Sequence, residues 1–229
     1  MTDRDIYEPQ RRQMIDEIVA DLTMLQSRLG RARFSQRVLD SMARVPRHRF
    51  VPVEMQALAY RNTPLPISHG KTISQPFIVA LMTDLLEVNE TDVVLEIGTG
   101  FGYQTAILSE LAAQVYSVEI IEAIAREGKS RLGELGYRNI AFRTGNGALG
   151  WPHHAPYDRI MVTAAPDLVP PALLTQLKPL GRMVVPTGIP ERQQLLSVSK
   201  NEQGRISMQE ILPVRFSELE ESSGFVGRS

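Results

Sequence analysis

Val93-Val94-Leu95-Glu96-Ile97-Gly98-Thr99-Gly100-Phe101-Gly102 is the stretch on which the fold turns. Its first five residues, three of them β-branched, read as a short buried strand, and residues 103–112 read as a helix. The three alternating glycines between them permit a tight turn and let a ligand approach the main chain with no Cβ in the way. The same alternation continues downstream. Strands are predicted at 115–119, 140–144, 159–163 and 182–186, with helices at about 121–135 and 171–177. Strand and helix alternating at this spacing predict an α/β fold with a doubly wound, mostly parallel sheet. Residues 194–199 and 206–212 have no helical pattern between them. The turn signal Asn201-Glu202-Gln203-Gly204 joins them, which predicts a C-terminal antiparallel strand pair.

A doubly wound sheet binds its ligands at the carboxyl edge of its strands, which is where the glycines stand. The helix behind them adds free N–H groups at its start. Glu119 ends the next strand, where its carboxylate could accept hydrogen bonds from two ribose hydroxyls. Gly98, Gly100, Gly102 and Glu119 together fit a nucleoside-containing cofactor. A dinucleotide fingerprint is G-x-G-x-x-G, whereas this loop is G-x-G-x-G preceded by Glu96, and the lack of G-K-[ST] excludes a P-loop. The Glu96 carboxylate suits an ammonium better than a pyrophosphate. S-adenosylmethionine has an ammonium, a ribose and no phosphate. The plainer alternative is that the glycines only shape a strand–helix turn. Gly145-Asn146-Gly147 follows the third strand at the same edge, so Asn146 either meets an adenine edge or forms an ordinary Asn-Gly turn.

Composition narrows the classes further. A chain of 229 residues with 43 % hydrophobic and 22 % charged residues is ordinary for a globular protein that needs no staple. Twenty-five Lys+Arg against 26 Asp+Glu give no bulk pull toward nucleic acid or an anionic membrane. Cysteine is absent, which excludes a disulfide framework, a thiol nucleophile and Cys-ligated metals. His153 and His154 lack the spacing of metal ligands, so no metal is expected. The charged first eight residues lack the apolar core of a signal peptide, and Ile78-Val79-Ala80-Leu81-Met82 is far too short to span a bilayer. A cytoplasmic protein is expected.

The first third reads as helical. Ile15, Ile18, Val19, Leu22, Leu25 and Leu29 share one face of a helix that Gly30 can end. A second helix is predicted from Ser35 as N-cap, burying Val38, Leu39, Met42 and Val45 and stopping before Pro46. Residues 62–76 hold several prolines and read as an irregular, pinned loop carrying Ser68, His69, Thr72 and Ser74. His69 is read as a loop-structure residue. Arg44, Arg47, His48 and Arg49 read as a solvated basic face, and Trp151 as a packing residue.

Taken together the glycine loop, Glu119 and Asn146 resemble a class I S-adenosylmethionine methyltransferase, with a Rossmann-like fold. One family is matched far more closely, the protein-L-isoaspartate O-methyltransferases. The resemblance runs over about residues 33–216. It is carried by Val45-Pro46-Arg47-His48-Arg49-Phe50-Val51-Pro52, Thr72-Ile73-Ser74-Gln75-Pro76, the glycine loop through Tyr103-Gln104, Thr163-Ala164-Ala165-Pro166 and Leu212-Pro213-Val214-Arg215-Phe216. The Thr-Ile-Ser-Gln-Pro segment is the one specific to the family. Two departures stand out: Asn146 replaces the family's usual Asp, and the tail after Phe216 differs from the commoner bacterial ending.

The resemblance implies transfer of a methyl group from S-adenosylmethionine to the α-carboxylate of L-isoaspartyl residues in ageing proteins. The ester then collapses to a succinimide, which initiates repair. It implies Ser74 as the active-site serine that positions the substrate carboxylate; the competing reading has Ser74 cap the helix beginning at Pro76. It implies Glu96, Gly98, Gly100, Gly102, Glu119 and Asn146 as cofactor residues. The expected partners are isoaspartyl proteins and peptides, without nucleic acid or membrane, and a monomer is favoured. The expected organisation is a helical region with the substrate loop at 1–76, a cofactor domain at 77–217 and a loosely held polar tail at 218–229. Two other functions stay open: an O-methyltransferase of a small-molecule carboxylate or hydroxyl, and a degenerate cofactor-binding module without catalysis, motivated by Asn146.

Overall fold

Short apolar runs separated by helices build a seven-stranded sheet in the computed structural model, which describes residues 6–221. The strands are β3 (Val93–Ile97), β4 (Gln114–Glu119), β5 (Ile140–Thr144), β6 (Tyr157–Val162), β7 (Leu177–Ile189), β8 (Arg192–Lys200) and β9 (Ile206–Val214). Their order is β5-β4-β3-β6-β7-β8-β9. The first five in that order run parallel, and β7-β8 and β8-β9 are antiparallel. The antiparallel part therefore takes in the end of β7 as well as the expected pair. From β3 the chain winds outward to β5, then crosses back to place β6 on the other side of β3. That reversal opens a crevice at the carboxyl ends of β3 and β6.

Strand periodicity assigns the two faces. Val94 packs into the apolar cluster formed with the N-terminal helices, and Leu95 and Ile97 pack into the opposite cluster. The first cluster is covered by α1 (Glu8–Leu29), α2 (Gln36–Arg44), α3 (Pro76–Leu86) and α4 (Tyr103–Leu111). In α1 the residues Met14, Ile18 and Leu22 are buried, each worth about 1.5–3 kcal/mol. Gly30 ends α1 in the left-handed region at φ 62°. Val19, expected on the buried face, is 41 % exposed, because the helix turns Met14 inward instead. Val38 and Met42 of α2 are buried as expected, as is Val45 just beyond it, while Leu39 is half-buried. Ser35 stands at its N-cap position without a side-chain cap, and its main-chain N–H donates to Asp84.

Three parts of the sequence reading change. The loop at 62–76 contains a two-stranded antiparallel ribbon, β1 (Leu65–Pro66) with β2 (Thr72–Ile73). Arg47 lies in the core at 0 % exposure and is no part of a solvated face. The beginning of the tail is tied down as well. Ala165 accepts from the Leu219 N–H at 2.8 Å and donates its own N–H to Ser217 O at 2.8 Å. Lys71 Nζ pairs with Glu220 at 2.6 Å, and Asn146 Nδ2 donates to Glu221 O at 2.7 Å. The rest of that tail, 222–229, and the first five residues fall outside the described residues. Trp151 packs edge-on against Tyr116, and His154 stacks on the same ring at 4.2 Å, so these side chains fill space on the sheet's far face. No helix among the described residues is long and apolar enough to cross a membrane.

Candidate active site

A cavity opens at the crevice between β3 and β6. Its wall is formed by Ile97 to Gln104, Val118 to Ile120, Thr163 and Gly147, with Lys71 to Ser74 on one side and Ser217 to Glu220 across the mouth. The glycine loop is strained in the sense only glycine tolerates: φ is 95° at Gly98, 55° at Gly100 and 99° at Gly102. At Gly98 a Cβ would also overlap Thr163 Oγ1, so close approach and backbone conformation both exclude a side chain. Thr163 locks the turn from the neighbouring strand, donating to Ile97 O at 3.0 Å and Gly98 O at 2.7 Å. Gly102 caps α4, aiming that helix's free N–H groups at the cavity.

Glu119 stands in the cavity wall at the end of β4. Its Oε2 accepts from the Gly100 N–H at 3.0 Å, and Oε1 accepts from Ile120 and Ile121 at 2.9 and 3.1 Å. Three main-chain donors fix the carboxylate while lone pairs remain for ribose hydroxyls. Lys71 is the one cation among the described lining residues, and Glu220 neutralises it. A cavity of this kind offers a pyrophosphate no unpaired cation among its described lining residues. It fits a nucleoside that carries no phosphate, and S-adenosylmethionine meets that condition.

Two of the expected cofactor residues sit differently. Glu96 is not among the lining residues. Strand alternation turns it toward α4, where Oε2 accepts from Thr105 and Ser117, each at 2.6 Å, and Oε1 is buried without a partner. Burial pushes its carboxyl up to about 8, against the two hydroxyl hydrogen bonds and with a smaller push from Glu119. Asn146 is committed to the main chain on both sides: Oδ1 caps Ala148 N–H at 2.8 Å and Nδ2 reaches the tail. The Asn146 side chain thus forms a turn cap, and it is Gly147 that stands in the cavity wall.

Ser74 is half-buried and lines this cavity together with a second, wider groove. The N-cap position of α3 belongs to Gln75, which makes no side-chain cap, and Asn62 Oδ1 accepts from the Phe77 N–H at 3.0 Å instead, so the capping role of Ser74 drops away. The groove runs between α1 and β9, lined by Leu25, Ile78, Leu212, Val214 and Phe216, with Asp21 and Arg215 at its edges. The two hollows share Thr72, Ser74, Thr163 and Ser217. His69 sits exposed at a left-handed turn, φ 54°, with its Nδ1 near Ser68 Oγ. Sequence reading does not pick out Thr163 as a site residue; its place at the end of β6, opposite the glycines, is the available signal.

Comparison with known proteins agrees with this geometry. The family model of protein-L-isoaspartate(D-aspartate) O-methyltransferase matches residues 21–224. Protein-L-isoaspartate O-methyltransferase 1 of Polaromonas sp. is 55 % identical over 222 residues, covering 97 % of this chain and 94 % of the relative. Protein-L-isoaspartate O-methyltransferase 2 of Syntrophobacter fumaroxidans is 54 % identical, covering 93 % and 86 %. A solved protein-L-isoaspartate O-methyltransferase superposes with a TM-score of 0.76 at 28 % identity, over 92 % of this chain and 67 % of that one. A Plasmodium falciparum chain solved with S-adenosyl-L-homocysteine shares the fold at a TM-score of 0.74 and 20 % identity, covering 90 % and 98 %. Fold and cavity define a class I S-adenosylmethionine-dependent methyltransferase. Within that class, the chain belongs to the protein-L-isoaspartate(D-aspartate) O-methyltransferase family.

Proposed function

We propose that the chain methylates the free α-carboxylate of L-isoaspartyl residues in damaged proteins, with Ser74 positioning that carboxylate. The observation that carries this reading is the place of Ser74 at the junction of the cofactor cavity and the apolar groove. A carboxylate held there faces the cofactor while the chain on either side of it lies in the groove. An open groove flanked by Leu25, Ile78, Leu212, Val214 and Phe216 suits an extended peptide and leaves a compact small molecule unenclosed. The end of α1, residues 64–78 and β9 thus serve the substrate, and residues 93–120 serve the cofactor.

When bound, S-adenosylmethionine supplies the methyl group carried on its sulfonium. Glu119 takes the ribose, the glycine loop admits the nucleoside to the main chain, and Thr163 holds that loop closed from behind. Glu96 supports the loop from below through Thr105 and Ser117 and touches the cofactor only through the elements it braces. No general base is needed, since a free carboxyl with a pKa of about 4 is ionised at pH 7. The protein has to desolvate that anion, align it and keep water out. Residues 217–220 across the cavity mouth serve the last requirement. We place this activity in the cytoplasm, with which a chain free of cysteine is compatible.

The test is methyl transfer from labelled S-adenosylmethionine to a matched pair of peptides, one isoaspartyl and one aspartyl. Base-labile label on the isoaspartyl peptide alone is expected. Label on neither peptide, with cofactor binding intact, would sink the substrate assignment.

A further inference from the structure

Four basic residues crowd into 44–49, and two of them behave as surface residues do: Arg44 pairs with Glu110 and Arg49 reaches Glu134. His48 is half-buried, stacked on Tyr7 and hydrogen-bonded to the Tyr60 hydroxyl. Arg47 is the exception, fully buried and without a carboxylate partner among the described residues. A guanidinium taken out of water costs several kcal/mol unless its surroundings compensate, so a position like this asks for a reason. Its neighbours are the Ala59 carbonyl, reached by Nε at 2.7 Å, and the Ser74 carbonyl, reached by Nη2 at 2.8 Å. The guanidinium carbon lies 4.8 Å from the centre of the Tyr103 ring, a cation–π contact. Tyr103 itself opens α4 and lines the cofactor cavity. Burial lowers Arg47 to about 10, with Tyr103 opposing, which leaves it charged at pH 7.

We infer that Arg47 is a positioning residue for methyl transfer: it pins the main chain of Ser74 and backs the carboxylate site with a positive charge that no described carboxylate offsets. The inference rests on the reading of Ser74 given above. Two features separate it from plain loop stitching. The arginine grips the carbonyl of Ser74 itself, across 27 residues of chain, on an irregular segment that no helix or long strand holds. It also brings a charge where a neutral donor would satisfy the same carbonyls, and the group to be held at Ser74 is an anion.

The experiment uses the full chain with isoaspartyl peptide and S-adenosylmethionine. Wild-type activity comes first: if it is missing, the functional reading fails and Arg47 is not in question. Given activity, Arg47→Lys is expected to lower kcat/KM about tenfold, carried by kcat as for Ser74→Ala, with cofactor affinity unchanged. In a Ser74→Ala background the same substitution is expected to cost less than about twofold, because the group it acts through is gone. A full, additive loss in that background would overturn the inference and leave Arg47 a structural residue. Should the variant fail to fold, the wild-type chain with S-adenosylhomocysteine bound decides. There the Arg47 Nε–H resonance is expected to shift on adding isoaspartyl peptide and not on adding aspartyl peptide; an unmoved resonance rejects the role.

Discussion

On the cofactor side, three main-chain N–H groups converge on Glu119, one from the glycine loop and two from the turn after β4, and the glycine loop is closed by Thr163 from the adjacent strand. On the substrate side, Ser74 stands on an irregular stretch whose carbonyl is held by a guanidinium from 27 residues back. The first half is made of regular elements and glycines, with each part close to its partner in sequence or in the parallel register. The second depends on a side chain buried in a different layer. A main-chain site needs little more than room and a conformation, which glycine supplies. A site on a loop has to be held by something outside it, and here a buried cation does so.

The largest expected effect falls on the cofactor side. Glu119→Ala removes the ribose acceptor and leaves the Gly100, Ile120 and Ile121 N–H groups without their partner. Cofactor affinity should fall roughly 100-fold, a loss of about 3 kcal/mol for a charged acceptor. Calorimetric titration reads it, and an unchanged dissociation constant would remove Glu119 from the site. Ser74→Ala should act on the other half alone, lowering turnover about tenfold, the scale of one lost hydrogen bond. If cofactor affinity fell in step with turnover, the two halves would not be separable in the way drawn here.

A smaller effect tests the layer beneath the glycine loop. With Glu96 pushed up to about 8, the folded chain keeps a proton that the unfolded chain, at its ordinary 4.5, gives up. The folded state therefore binds more protons between those values. This contribution to stability is complete below about 4.5 and is lost as pH rises through about 8. The melting temperature of the cofactor-free chain should accordingly fall more steeply across that range than that of Glu96→Gln. Parallel slopes for the two proteins would mean that Glu96 is ionised where it lies.

Asn146→Asp should do least. The Oδ1 cap on Ala148 survives, and only the Nδ2 tie to Glu221 is lost. Cofactor affinity should change by less than about threefold, since one exposed hydrogen bond is at stake. Tenfold tighter binding would instead show that the side chain at this position turns to the adenine.

Most of the fold was legible because its signals are local. Strand–helix alternation from Val93 onward predicted the parallel sheet, and the glycine spacing located its ligand edge. What sequence pattern missed depends on which layer covers a residue. Val19 was assigned to the buried face and Arg47 to solvent, each by the usual habit of its residue type. The positions of the helix and of the segment after Pro46 reversed both. The tail was read as loose from its polarity alone, whereas residues 217–221 find Ala165, Lys71 and Asn146 waiting across the cavity mouth.

By itself the sequence determined the winding of the sheet, the edge at which a nucleoside cofactor is bound, and, through the Thr-Ile-Ser-Gln-Pro segment, the family resemblance. Each of these is written in spacing and in residue types whose backbone preferences act within a few positions. Only the tertiary structure decided that Glu96 braces the loop from below, that Asn146 caps a turn, and that Arg47 holds the Ser74 carbonyl. Those outcomes depend on which face of a strand meets which helix and on what water can still reach, and burial is a property of the packed layers that no short stretch of chain contains.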